Sequence, residues 1–79
     1  MKIKSIKELH EILIDSFSHV TFTYNGKRCG IDPMAKDDFD VWYGEDLAKA
    51  HNIEEISSQR IYNGKSLEEI ITEVTDFDY

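Results

Sequence analysis

Val20-Thr21-Phe22-Thr23-Tyr24-Asn25-Gly26-Lys27-Arg28-Cys29-Gly30-Ile31 alternates apolar and polar residues on both sides of an Asn-Gly pair. That is the pattern of a β-hairpin closed by a two-residue type I′ turn, whose two central residues need φ > 0 and are best supplied by Asn and Gly. Folding about Asn25-Gly26 sets Tyr24 opposite Lys27, Phe22 opposite Cys29 and Val20 opposite Ile31. The apolar side chains then share one face, and His19, Thr21, Thr23, Arg28 and Asp32 share the other, as an antiparallel sheet covered on one side requires.

Ahead of the hairpin, Ser5-Ile6-Lys7-Glu8 has the spacing of a capping box and predicts a helix start. Ile6, Leu9, Leu13 and Phe17 recur at helical spacing, with Ile12 and Ile14 widening the apolar face, so this helix is expected to run to about Phe17. Behind the hairpin, Asp32-Pro33 ends the second strand and Met34 to Asp38 read as a loop. Phe39-Asp40-Val41-Trp42-Tyr43 alternates again and predicts a third strand, with Asp40 and Trp42 pointing away from Phe39, Val41 and Tyr43.

Beyond Gly44, the stretch Glu45 to His51 reads as a short helix with acidic residues in its first turn, after which Asn52-Ile53-Glu54-Glu55 can cap another turn. Gln59 to Tyr62 is a short extended piece leading into a second Tyr-Asn-Gly-Lys at residues 62–65, a reuse of turn chemistry. Ser66-Leu67-Glu68-Glu69 is a second capping box. Leu67, Ile70, Ile71 and Val74 then predict a final helix of about three turns, with a tail that frays unless something holds it. The expected fold is α+β: an N-terminal helix, a three-stranded antiparallel sheet (hairpin 19–32 plus strand 39–43), a short helix and a C-terminal helix, all helices on one sheet face.

At 79 residues, residues 1–79 make one small globular domain, of a size at which a single core supplies on the order of 3–5 kcal/mol. The lone cysteine excludes an internal disulfide and any multi-cysteine zinc site. The start Met1-Lys2-Ile3-Lys4 is not an apolar leader, and no apolar run approaches the ~20 residues that cross a bilayer, so a cytoplasmic protein is expected.

The net charge of −7 is unevenly placed: residues 1–39 carry six basic and six acidic side chains, residues 40–79 three and ten. Such a surface repels nucleic-acid phosphate and anionic lipid and favours a basic protein partner. No phosphate loop is present, because the Gly-x4-Gly-Lys-Ser pattern ending at Gly64-Lys65-Ser66 would need glycine where Gln59 stands. No cofactor is implied.

Cys29 is the one thiol, yet the hairpin register turns it toward the core and His19 away from it, so it reads as a small buried hydrophobe. His10 and His51 have no second ligand at metal spacing. Asp32, Asp37, Asp38 and Asp40 gather carboxylates around the third strand without the EF-hand spacing; with a histidine they are the material for a small metal-dependent or hydrolytic enzyme, the competing function class. Trp42 lies on the open sheet face near Thr21, Thr23 and Arg28, where either a partner surface or a covering side chain such as Arg28 must meet it.

Glu68, Glu69, Glu73, Asp76 and Asp78 crowd the last fourteen residues with no Lys or Arg among them, a surface that steers cations. The expected function is non-catalytic: a protein-interaction or regulatory domain that docks a partner, or itself as a homodimer, through the face around Trp42 or through the acidic C-terminal helix. Immunity or antitoxin-type inhibitors of basic nucleases fall within this reading by charge alone.

Overall fold

The hairpin has the expected register: in β1 (Val20–Tyr24) and β2 (Lys27–Ala35), Val20 pairs with Ile31, Phe22 with Cys29 and Tyr24 with Lys27. Asn25 and Gly26 take φ of 53° and 76°, both positive as the turn demands. The computed structural model describes residues 5–79; the expectation drawn from Met1-Lys2-Ile3-Lys4 lies outside them.

The sheet is larger than the three strands expected. Five antiparallel strands lie in the order β4-β3-β2-β1-β5, with β3 at Asp38–Tyr43, β4 at Asp46–Ala50 and β5 at Thr75–Asp78. The overall α+β class stands. Residues 34–38 are less of a loop than expected, since β2 runs on to Ala35 and β3 begins at Asp38, with a register shift between Pro33 and Ala35.

The short helix expected over Glu45 to His51 is instead β4, paired along β3 from Tyr43↔Asp46 to Phe39↔Ala50. Gly44, at φ 59°, closes this second hairpin. The alternation was masked because the inward positions are the small Ala48 and Ala50 while Leu47 points outward, so the acidic residues Glu45 and Asp46 read as the first turn of a helix.

At the C-terminus the three-turn helix shrinks to one turn, α3 (Leu67–Ile70), and the tail is held as β5 against β1. Thr21 pairs with Asp78 and Thr23 with Thr75, so the register between β5 and β1 shifts, and Asp76 sits at φ 52° within this bulge. The bulge returns Phe77 to the core three residues after Val74, which imitates helical spacing in the sequence.

The helices pack on one sheet face. Ser5 Oγ accepts the Glu8 N–H at 3.2 Å to start α1 (Ile6–Glu11), and Asn52 Oδ1 accepts the Glu55 N–H at 2.8 Å to start α2 (Ile53–Ser58), as the capping motifs predicted. Residues Ile12–Ser16 continue α1 as a π-helical turn that ends on Phe17 in the left-handed region, φ 49°. A wider turn rotates the residues after it out of line with the α-helical stripe. Leu9 and Leu13 therefore stay buried, but Ile14 and Phe17, expected on the core face, are exposed at 65% and 49%. Leu9, Leu13, Ile56, Leu67 and Ile70 close over Val20, Phe22, Cys29, Ile31, Val41 and Tyr43 in one cluster.

Candidate functional site

The sheet face opposite the helices is built in cross-strand rungs. Asp32 pairs with Asp40 and Asp40 with Lys49, and His19, one residue before the first β1 pair, lies beside Asp32. The next rung runs Asp78, Thr21, Gly30, Trp42 and Leu47 across all five strands. The third holds Thr75, Thr23 and Arg28. Pairing thus brings together Trp42, Thr21, Thr23 and Arg28 on one surface, because side chains alternate along every strand.

Gly30 explains how Trp42 is held. A Cβ at that position would lie 2.2 Å from Cζ2 of Trp42, so the indole lies directly on the glycine backbone. Trp42 Nε1 donates to Asp32 Oδ2 at 3.3 Å, and Asp32 Oδ1 is 2.7 Å from His19 Nδ1. The result is a half-buried ring oriented by Gly30 on one side and Asp32 at its N–H. Beside it on β4, Leu47 is 68% exposed. Arg28 does not cover the indole: it donates to Thr23 Oγ1 at 2.9 Å and to the Asp76 carbonyl at 3.4 Å.

No known family, curated protein or solved structure matches this chain.

Of the four carboxylates considered for catalysis, Asp32 and Asp40 lie opposite one another, and each already has partners. Asp32 is committed to His19 and Trp42, Asp38 and Asp40 share Lys49 at 3.2 and 2.6 Å, and Asp37 is exposed in the turn between β2 and β3. Among the described residues no three His, Cys, Asp or Glu side chains are grouped to hold a metal ion. Cys29 is fully buried, and burial pushes its thiol up to about 11, leaving little thiolate at neutral pH.

One polar pair escaped the sequence reading, because its members lie 47 residues apart: His10 Nε2 and Ser57 Oγ, 2.6 Å. Ser57 donates its proton to the Ile53 carbonyl at 3.1 Å, so the imidazole N–H is the donor between α1 and α2. The serine is buried and its proton engaged, so the pair acts as a tie between helices and lacks the geometry of an activated nucleophile.

The acidic C-terminus does not present a helical face. Glu69 accepts from the Ser66 N–H at 3.0 Å, the Ser66 hydroxyl at 3.1 Å and Arg60 at 2.8 Å, while Glu68 and Glu73 are exposed and Asp76 and Asp78 belong to β5. A separate apolar hollow of about 290 Å³ lies between Leu13, Ile14, Phe17, Phe39 and Ile53, with Lys36 at its edge. The π-helical turn that opens it has no signature in the sequence pattern.

These contacts set the response to acid. Burial holds His10 below its ordinary value against the opposing field of Glu68. The unfolded chain therefore binds a proton near pH 6.5 that the folded chain takes up only at lower pH, and stability falls as pH drops through that window. Glu55, held low chiefly by the His51 N–H, and Glu69, held low chiefly by the Ser66 N–H, contribute stability above the ordinary carboxylate value that is lost as pH falls through their folded values. Urea midpoints should fall in two stages on acidification, and His10→Gln should remove the first.

Proposed function

We propose that the chain is a non-catalytic interaction domain that docks another protein through the open sheet face around Trp42. The observation that carries this reading is the indole itself, laid on Gly30, oriented by Asp32 and neighboured by the exposed Leu47 on a face no helix covers. Large aromatic side chains held rigid beside apolar surface and ringed by polar groups are the residues that dominate interface energetics. Thr21, Thr23, Arg28 and Asp78 supply that polar ring.

The acidic C-terminal residues have less support as a docking surface, since Glu69 is already neutralised by Arg60 and its cap. The enzymatic alternative on Asp32, Asp37, Asp38 and Asp40 has less support, since Asp32, Asp38 and Asp40 are engaged by His19, Trp42 and Lys49, and no three His, Cys, Asp or Glu side chains among the described residues are grouped to hold a metal ion.

Trp42→Ala should weaken the native complex by about 30-fold or more, the loss typical of an aromatic anchor of at least about 2 kcal/mol, with the fold preserved by circular dichroism. Quantitative pull-down and light scattering against Phe17→Ala as control separate a partner from self-association. Unchanged binding in Trp42→Ala would sink the reading.

A further inference from the structure

We infer that the partner segment is basic and seats an arginine on the free face of Trp42, an inference that rests on the docking role of this surface. One face of the indole is taken by Gly30, and among the described residues the ring has neither an aromatic neighbour nor a cation, whereas Tyr43 is already covered by Lys27 Nζ at 5.0 Å from its centroid.

The rung next to Trp42 places Asp32 directly opposite Asp40. Like charges in that position cost stability unless neutralised. His19 and Lys49 do this only in part, because Lys49 is shared between Asp38 and Asp40. Arg28 spends its hydrogen bonds on the Thr23 hydroxyl and the Asp76 carbonyl, both uncharged acceptors. Its charge still counts as a cation on this face, where the four carboxylates Asp32, Asp38, Asp40 and Asp78 outnumber the two permanent cations Arg28 and Lys49, on a chain whose net charge is −7.

A half-buried indole with no ring or cation stacked on it, beside surplus carboxylates, attracts a cation twice, through the ring quadrupole and through charge. A guanidinium suits the geometry better than an ammonium, since its plane stacks on the ring while its fork of N–H donors reaches a carboxylate. The remaining lone pairs of Asp32 and Asp40 are the acceptors.

Trp42 is the sole tryptophan, so its emission reports this site alone. Blocked Gly-Arg-Gly-Arg-Gly peptide, titrated at low salt, should change the emission saturably. The Lys counterpart should bind about fivefold more weakly, the Glu counterpart should have no effect, and high salt should weaken the response. Asp32→Asn and Asp40→Asn should each weaken binding about fivefold.

No saturable change with the Arg peptide, or an equal response to the Lys or Glu peptide, overturns the inference. If that happens while Trp42→Ala still disrupts the native complex, the docking face stands and only the arginine is lost. If Trp42→Ala leaves the native complex intact, the docking face itself is wrong.

Discussion

Tyr62→Ala should leave the domain largely unfolded at room temperature. Tyr62 is completely buried, with its ring 6.1 Å from Phe22 and edge-on to Tyr43 at 5.8 Å. Truncating an aromatic at such a site costs about 3–5 kcal/mol, which is about all a domain of this size has. The tyrosine is fixed there by the second Asn-Gly turn: Asn63 and Gly64 take φ of 57° and 81°, and Tyr62 and Lys65 exchange two backbone hydrogen bonds of 3.1 Å. That single rung locks the ring over the centre of the sheet.

Tyr62→Phe should act in the opposite direction. The hydroxyl is buried without a hydrogen-bond partner among the described residues, and burial raises its pKa strongly. Removing an unsatisfied buried hydroxyl while keeping the ring should raise stability by about 1 kcal/mol in urea denaturation. A clear loss in Tyr62→Phe would mean that the hydroxyl has a partner.

The second large effect concerns the platform. Gly30→Ala should destabilise the fold by about 1–3 kcal/mol, because a Cβ at 2.2–2.6 Å from Cζ2, Cε2 and Nε1 of Trp42 forces the indole off the sheet. The hydrogen bond from Nε1 to Asp32 breaks with it. Emission of Trp42 should shift to the red and acrylamide quenching should rise. In a Trp42→Ala background the same substitution should be close to neutral, since Gly30 has an ordinary φ that alanine can adopt. A double-mutant cycle without coupling between the two positions would contradict the contact.

The readable parts of the chain are those where a local rule acts alone. Asn25-Gly26 dictated the register of β1 and β2, and strict alternation from Phe39 to Tyr43 dictated β3, which together put Trp42 on the open face. The capping residues Ser5, Asn52 and Ser66 marked three helix starts. The errors came where a local rule was overridden. In β4 the inward positions are alanines, so burial left no period-2 signal. In β5 the bulge at Asp76 replaced a period of two by a spacing of three. The π-helical turn moved Phe17 out of the stripe to which its spacing assigned it.

The site itself was half legible. Its face could be predicted from register, but not that Gly30 would seat Trp42, nor that Asp32 would hold the indole N–H and His19 together. Those contacts join β2, β3 and His19, the residue before β1, and cross-strand identity depends on the β2–β3 pairing, which no turn motif specifies. Leu47 was missed altogether, since it belongs to the strand that read as a helix.

The most direct measurement is the accessibility of this one tryptophan in the native complex. Acrylamide quenching of Trp42 should fall severalfold when the partner binds, its emission should move to the blue, and both changes should vanish when the partner is released. Quenching and emission that stay the same on binding would show that the partner sits elsewhere and that the open sheet face is not the docking surface.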